Sequence, residues 1–336
     1  MIVGLQLLRF IAASLVILNH AMGEFPGVKA VGSFGVDIFF VISGFIISQI
    51  TTSGTRDFFK KRLIRIVPLY WLFTAFVAAI GYFAPHLLRS ARWDPVHLLA
   101  SLFFVPQWTE AMTFEPILKL GWTLNLEIYF YLLFFLATKV SERRRELVCS
   151  VLLVILFATF SLLPLAPTSG FNFYAQDITL EFIFGMGLAL LYRQRHRIFL
   201  ATPRLVNGVL VVASSAAFYY TTRVSDFNLV RCIIYGLPAL VCVFSFLSLE
   251  SAFKQLPQWA QSMCLAGGEL SYPMYLIHMY AVAAISRLAG GKSMGYTAIF
   301  VIAWLASVAL SRLVIDYYDA PIRRLLTGRL ARRAPA

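Results

Sequence analysis

Ten apolar stretches, each about 20 residues long, divide this sequence and limit what it can fold into. A stretch of that length crosses a bilayer as a helix, because only a helix satisfies its own backbone hydrogen bonds in lipid. The composition agrees, since 60% of the 336 residues are hydrophobic and only 13% are charged. The sequence therefore predicts an all-α polytopic membrane protein of about ten transmembrane helices. The predicted spans cover 5–22, 34–50, 64–84, 121–140, 147–166, 176–193, 205–222, 229–249, 271–289 and 295–316.

The basic residues predict the orientation of these spans. With the N-terminus in the cytoplasm, the segments on that side hold 19 Lys and Arg residues, against eight in the segments outside. Cytoplasmic loops of membrane proteins carry such an excess. The even number of spans then places the C-terminus in the cytoplasm as well. The net charge of +13 falls in short clusters between apolar runs, so we expect no nucleic-acid partner.

The loops predict a single domain. The longest loop, 85–120, contains the apolar run 97–106, which is too short to cross and is expected to lie at the interface or to re-enter the bilayer. We therefore expect one transmembrane domain over 1–322 and a basic cytoplasmic tail over 323–336. The first span contains charged residues, and we expect it to be retained rather than removed as a signal peptide.

The first span carries an arginine and a histidine, which are costly in lipid and indicate a function. Arg9 and His20 are eleven residues apart, so they lie on one face of a helix, about 16 Å apart along its axis. Asp37 lies near the outer end of the second span, at a depth similar to that of His20. We therefore predict an Asp37–His20 pair that acts as a general base. The alternative is a structural polar contact between two helices, worth about 1 kcal/mol.

A basic cluster opens the third span. Arg62 and Arg65 are three residues apart and can share one helix face, where their forked donors suit phosphate oxygens. Lys60 belongs to the same cluster. The alternative is an ordinary cytoplasmic anchor that contacts lipid phosphates, and the pattern taken alone favours this alternative.

Further ionisable groups lie inside the predicted spans, at Glu127, Glu181 and His278, and each faces a partner or a cavity. Two classes of function would use them. In a membrane enzyme they would surround the reacting groups. In a proton-coupled transporter of an anionic solute or glycan precursor, His20, Asp37, Glu127 and His278 would form a proton relay. A non-catalytic scaffold is a third reading.

Six motifs, in order, resemble those of the bacterial acyltransferase family 3. They are the Arg9–His20 spacing, "GVDIFFVISGF" at 35–45, "RLIRIVPLYW" at 62–71, "WTLNLEIYFY" at 122–131, "GELSYPMYLIH" at 268–278 and "YYDAP" at 317–321. The resemblance implies a multi-pass enzyme of the bacterial cytoplasmic (inner) membrane that O-acylates, most often O-acetylates, sugars of surface polysaccharides from acyl-CoA. Length and organisation look closest to the exopolysaccharide acetyltransferases of that family.

The resemblance gives functional weight to Arg9, His20, Asp37, Arg62, Arg65 and Glu127. We expect catalytic roles for His20, Asp37 and Glu127. We expect donor-binding roles for Arg9, Lys60, Arg62 and Arg65. Residues that could support the site are Trp122, Tyr129, Glu181, Ser271, Tyr275 and His278.

The expected mechanism starts with the arginines holding the CoA phosphates at the cytoplasmic face. The pantetheine arm would pass Arg9, and the thioester would end near His20. His20 would then deprotonate a sugar hydroxyl, and the sequence leaves covalent acylation of His20 open as a second route. Expected partners are acyl-CoA, a lipid-linked or nascent polysaccharide and the bilayer. A homo-oligomer is compatible with the sequence, and no tightly bound cofactor or metal is expected.

Overall fold

The computed structural model describes residues 1–25, 27–54, 57–88, 94–109, 112–223, 231–290 and 294–331. Within these ranges the chain forms helices and no β-strand, which confirms the predicted all-α class. Short 3-10 segments cover Thr51–Ser53, Pro85–Leu87 and Asp177–Leu180, and a π-helical turn covers Ile315–Asp319. The α-helices in the described ranges are α1 Val3–Gly23, α2 Gly35–Ile50, α3 Phe58–Phe83, α4 Pro95–Leu102, α5 Gly121–Val140, α6 Arg145–Leu162, α7 Phe171–Tyr174, α8 Glu181–Gln194, α9 His196–Ala201, α10 Arg204–Arg223, α11 Arg231–Ile234, α12 Gly236–Ser248, α13 Glu250–Phe253, α14 Gln258–Leu288, α15 Tyr296–Val314 and α16 Ala320–Ala331.

Seven helical segments of the described residues are long and apolar enough to cross a membrane, and the protein is therefore a multi-pass membrane protein. Three predicted spans are not among the seven. The stretches 34–50 and 176–193 form α2 and α8, which have only 16 and 14 residues, and 271–289 forms the second half of α14. The count of ten stays a prediction. The seven segments are Val3–Gly23, Phe58–Phe83, Gly121–Val140, Arg145–Leu162, Arg204–Thr222, Arg231–Ser248 and Tyr296–Gly328.

The chain divides into two compact units. Unit 1 contains Met1–Ile50 and Leu180–Arg312, and unit 2 contains Thr51–Thr179 and Leu313–Ala336. Unit 1 thus holds α1, α2 and α8 to α15, whereas unit 2 holds α3 to α7 and α16. Residues 323–331, expected in the basic tail, continue α16, and residues 332–336 lie outside the described ranges.

In unit 1, two glycines allow helices α2 and α8 to pack backbone to backbone. A methyl group added at Gly185 would lie 2.7 Å from the backbone nitrogen of Phe45 and would also meet the Val41 carbonyl oxygen. A methyl group added at Gly44 would meet the Phe182 carbonyl oxygen. Small residues allow such close approach of helices in membranes. The contact places the N-terminal ends of α2 and α8, where Asp37 and Glu181 lie, side by side.

Helix α1 packs along α14, again over glycine. A methyl group at Gly268 would lie 2.5 Å from the Cβ of Gln6. The start of α1 is also held by Glu250, whose two carboxylate oxygens accept hydrogen bonds from the backbone nitrogens of Val3 and Gly4, at 3.0 and 2.9 Å. A carboxylate there satisfies orphan donors and complements the helix dipole. Glu250 and the α14 glycines therefore fix the helix that carries Arg9 and His20.

In unit 2, the short helix α4 is held against the middle of α3. Tyr70 and Trp71, halfway along the 26-residue α3, donate hydrogen bonds to the carbonyl oxygens of Ser101 and Leu102, at 3.1 and 2.8 Å. The end of α4 therefore lies at the depth of the midpoint of α3. The position of this segment relative to the bilayer, at the interface or re-entrant, stays a prediction.

Candidate active site

Helix α1 presents Arg9 and His20 on one uninterrupted helix, as the eleven-residue spacing predicts. The imidazole of His20 is half-buried and lies against that of His278 on α14. The two ring centroids are 5.1 Å apart and the ring planes are tilted by 50°. The sequence pattern singles out both histidines but does not pair them. Their contact follows from the packing of α14 along α1.

His278 is completely buried, and one side of its ring is bound to its own helix. Its Nδ1 lies 2.8 Å from the carbonyl oxygen of Tyr275 and 3.3 Å from that of Met274. Its Nε2 is buried and has no hydrogen-bond partner among the residues that the structure describes. Buried polar atoms are nearly always hydrogen-bonded, so an unpartnered ring nitrogen beside a second histidine indicates a functional position.

Asp37 has a different partner from the one predicted. The Nε and Nη2 atoms of Arg231 donate hydrogen bonds to the two carboxylate oxygens of Asp37, at 3.0 and 2.9 Å. Asp37 is completely buried, whereas the Arg231 side chain is 36% exposed. Both oxygens are thus engaged by an arginine in a forked, bidentate geometry. Helix α11 thus delivers a cation to Asp37 that the chain order did not place there, and the Asp37–His20 pair stays a prediction.

Glu181 lies beside the Asp37–Arg231 pair. It is completely buried, and it interacts electrostatically with both partners. The guanidinium of Arg231 also lies over the ring of Tyr235, 5.2 Å from the ring centroid. In the predicted orientation Arg231 is one of the eight external basic residues, and the sequence pattern assigns it no role in the site. The available signal was its place inside an apolar stretch, where an arginine requires a counter-ion.

Arg9 is buried on α1, and its Nη1 donates to Oε1 of Gln6 at 3.3 Å. Gln6 lies one turn towards the start of α1, against Gly268 of α14. The arginine predicted to guide the donor therefore lies on the same α1–α14 contact as His20.

In unit 2, the predicted arginine cluster meets the acid predicted on α5. Arg62 interacts electrostatically with Glu127, Tyr131 and Arg65. The Tyr131 hydroxyl, which is buried, donates a hydrogen bond to the Glu127 carboxylate. Glu127, expected in catalysis, is thus a neighbour of Arg62, which was expected to bind the donor.

A second acid of unit 2, Asp319, was missed as a site residue. It forms an ion pair with Arg323 and interacts electrostatically with Arg65. Tyr318, the preceding residue of the π-helical turn, donates a hydrogen bond to the Pro68 carbonyl oxygen at 3.2 Å. Such π-helical turns are frequent at functional sites. Asp319 could have been identified as a site residue from the "YYDAP" motif, because the motif places an acid among apolar residues.

The remaining candidates on α3 and α5 differ in exposure. Lys60 is exposed, and Trp122 and Tyr129 are half-buried. The ring of Tyr129 packs on that of Tyr174, with centroids 4.5 Å apart. Packing accounts for the position of Tyr129.

The remaining candidates on α14 contact their own helix or a neighbour. The Ser271 hydroxyl donates to the Gly268 carbonyl oxygen at 2.7 Å. Tyr275 is buried, with its ring centroid 5.8 Å from that of His278 and 6.1 Å from that of Phe39. Tyr275 therefore contributes to the His278 environment through both its ring and its carbonyl.

Each unit thus holds ionisable side chains inside helices of membrane-spanning length. Charges in that position are expensive and mark sites where a substrate, an ion or a proton is handled. Among the residues that the structure describes, no group of three or more His, Cys, Asp or Glu is arranged to hold a metal ion. These features define a multi-pass membrane protein with polar sites among its helices, a class that contains membrane enzymes and transporters.

Comparison with known proteins distinguishes between a membrane enzyme and a transporter. The sequence profile of the acyltransferase domain family, acyltransferase 3, matches residues 2–315. The chain therefore belongs to this family and is an acyltransferase, which confirms the resemblance found in its motifs. Within the units these motifs meet in pairs: the first span contacts "GELSYPMYLIH", and "RLIRIVPLYW" contacts both "WTLNLEIYFY" and "YYDAP".

Relatives of known name agree with the family. The exopolysaccharide production protein ExoZ of Rhizobium meliloti strain 1021 is 30% identical over 95% of this chain and 97% of its own length. The acyltransferase MdmB of Streptomyces mycarofaciens is 25% identical over 86% of this chain and 78% of its own. The peptidoglycan O-acetyltransferase OatA of Listeria monocytogenes is 25% identical over 94% of this chain and 55% of its own. No solved structure matches this chain.

Proposed function

We propose that the protein is an O-acetyltransferase that moves an acyl group from acyl-CoA to a sugar hydroxyl of an exopolysaccharide or other surface glycan. The family supports the acyl transfer. The glycan acceptor is supported by the ExoZ and OatA relatives, whose names refer to exopolysaccharide production and to peptidoglycan O-acetylation. The enzyme would lie in the bacterial cytoplasmic membrane with both termini in the cytoplasm, where acyl-CoA is available, as the distribution of Lys and Arg favours.

His20 is the proposed general base. The unprotonated ring nitrogen of His20 would take the proton of the sugar hydroxyl as the hydroxyl oxygen attacks the thioester carbonyl. Collapse of the tetrahedral intermediate would form the sugar ester and break the carbon–sulfur bond. The proton on His20 would then pass to the departing CoA thiolate, which restores the base. The contact with the buried His278 supports this role, because it gives the ring a fixed neighbour.

Arg62 and Arg65 are the proposed binding residues for the donor phosphates, with Lys60 as a further cation. The role of Arg9 in donor binding stays a prediction. The residues around Arg62 and Arg65 in unit 2 favour the binding of an anion. Among the described residues of this group, Arg62, Arg65 and Arg323 lie with the acids Glu127 and Asp319. Three guanidinium groups beside two carboxylates favour an anionic ligand. Phosphate oxygens suit forked guanidinium donors.

Glu127 takes a changed role in this proposal. A carboxylate beside Arg62, itself bound by the Tyr131 hydroxyl, is suited to orient that guanidinium rather than to act as a second base. Asp37, bound through both oxygens to Arg231, is proposed to fix the helices around the base rather than to touch it.

The base is tested with His20→Ala, with Asn19→Ala as a matched control on the same helix. Transfer of labelled acetyl from acetyl-CoA should be abolished in His20→Ala and retained in Asn19→Ala, at equal amounts of folded protein. Substantial activity of His20→Ala would remove the histidine from the chemistry.

The donor residues are tested with the double variant Arg62→Ala, Arg65→Ala. Loss of charge-assisted hydrogen bonds should weaken acetyl-CoA binding at least about tenfold, with little change in acceptor binding. The exposed neighbour Lys61 serves as control, and Lys61→Ala should change donor binding by less than about twofold. Unchanged donor affinity in the double variant would assign the arginines to the anchoring of the protein at the membrane surface.

A further inference from the structure

The proposed donor, acyl-CoA, carries its phosphates in two places. One is a diphosphate, and the other is a phosphate monoester on the 3′ carbon of the ribose, which bears about −1.5 to −2 charges near neutral pH. Arg62 and Arg65 are neighbours on one face of α3, a spacing that suits the two adjacent phosphates of the diphosphate. The 3′-phosphate stands apart from these and is left for a cation outside α3.

Helix α16 brings a third arginine to α3. The Tyr318 hydroxyl donates a hydrogen bond to the Pro68 carbonyl oxygen, 3.2 Å away, and so ties the π-helical turn before α16 to α3. The next residue, Asp319, interacts electrostatically with Arg65. Helix α16 itself packs against α3, and Arg323, one turn into it, forms an ion pair with Asp319. One carboxylate is thus shared by an arginine of α3 and an arginine of α16, both of which belong to unit 2.

The ion pair occupies only part of the Arg323 guanidinium. Its Nη2 contacts Oδ2 of Asp319, whereas Oδ1 of Asp319 is buried and has no hydrogen-bond partner among the described residues. The contact is therefore made through one carboxylate oxygen, unlike the forked pair of Arg231 with Asp37. A guanidinium has five N–H donors, so Arg323 keeps donors for a second anion. Its side chain is 36% exposed, which allows a ligand to reach it.

We propose that Arg323 binds the 3′-phosphate of the acyl-CoA donor and that Asp319 is the positioning residue that holds its guanidinium beside α3. The inference rests on the proposed acyl-CoA donor and deepens it, because it adds α16 to the donor site. The adjacent pair on α3 matches the adjacent phosphates, and the separate arginine on α16 matches the separate phosphate. Arg323 therefore distinguishes CoA from the same molecule without its 3′-phosphate.

Binding of CoA and of dephospho-CoA, which lacks only the 3′-phosphate, tests this assignment. The affinities are measured by calorimetry on the purified full chain in detergent micelles. The native protein should bind CoA at least about tenfold more tightly, since dephospho-CoA loses the charge-assisted hydrogen bonds to Arg323. Arg323→Gln should bind the two ligands equally, to within about twofold. Arg324→Gln, at the exposed neighbouring arginine, should keep the native preference.

A double variant covers a loss of folding in Arg323→Gln. Asp319→Asn combined with Arg323→Gln removes both charges of the pair, so neither is left buried without its partner, and it should show the same loss of preference. By contrast, the double variant Arg62→Ala, Arg65→Ala should weaken the binding of both ligands and keep the preference for CoA.

Two results would overturn the inference. One is equal binding of CoA and dephospho-CoA by the native protein, and the other is a preference for CoA that persists in both Arg323 variants. Either result leaves the proposed acyl transfer intact. The proposed function itself fails if the native protein binds neither ligand and transfers no acetyl group from acetyl-CoA.

Discussion

Neutralising Asp37 tests whether this acid supports the fold or the chemistry. Asp37→Asn keeps the shape of the side chain but removes the charge that binds Arg231. Removal of one partner from a buried ion pair costs about 3 to 5 kcal/mol, because the other charge is left unpaired. Here Arg231 is 36% exposed and keeps Glu181 as a neighbour, so water and the second acid recover part of that cost. We expect a loss of about 2 kcal/mol in the free energy of unfolding.

A double-mutant cycle isolates the pair. Arg231→Gln alone should destabilise by a similar amount, since it leaves Asp37 buried without its cation. The double variant should lose clearly less than the sum of the single variants, with a coupling of about 1.5 kcal/mol or more. Unfolding of the purified protein in detergent micelles gives the stabilities, and acyl transfer per folded molecule gives the activity.

The two accounts of Asp37 differ in this cycle. If Asp37 orients His20 directly, Asp37→Asn should reduce kcat at unchanged stability, and Arg231→Gln should remain active. A coupling within about 0.3 kcal/mol of zero, together with such a selective loss of kcat, would show that Asp37 acts on His20 and not through its ion pair with Arg231.

Three further changes test other contacts. Gly185→Ala should destabilise the protein by about 1 to 2 kcal/mol, because the overlap of the added methyl with the α2 backbone outweighs the gain in helix propensity. Gly187→Ala, which has open space at its Cβ, should be neutral or stabilising. Thermal unfolding compares the two variants, and equal effects would contradict the close contact. Glu250→Gln should weaken the start of α1 by about 1 kcal/mol, seen as faster amide hydrogen exchange there, and unchanged exchange would contradict the capping role. Tyr318→Phe should cost about 1 kcal/mol through loss of the bond to Pro68, measured by unfolding, and no change would indicate that water replaces it.

The helices could be predicted from the sequence because the length of an apolar stretch determines where a chain can cross lipid. The stretch 34–50 matches α2 to within one residue, whereas 176–193 predicts a helix that begins five residues before α8. A 3-10 segment, Asp177–Leu180, occupies that difference, and the apolar pattern does not distinguish it from α-helix.

The contact partners of the site residues could not be predicted from the sequence in this way. Asp37 and Arg231 are 194 residues apart, and chain order favours the neighbouring helix, which made His20 the natural choice. The contact between His20 and His278 also depends on which helices pack together. Arg62 and Glu127 were each predicted to be functional, but their contact with each other was not predicted. Sequence therefore identified the polar residues, and the three-dimensional packing assigned their partners.

Acyl transfer from acyl-CoA to a glycan, with His20 as the base, can be measured with purified protein in sealed vesicles. The vesicles receive acetyl-CoA labelled in the acetyl group and the cell's own surface polysaccharide. We expect labelled, alkali-labile acetyl ester on the polysaccharide, formed with release of free CoA, and no such ester with His20→Ala. Solute uptake into the vesicles with no acyl turnover would contradict this expectation.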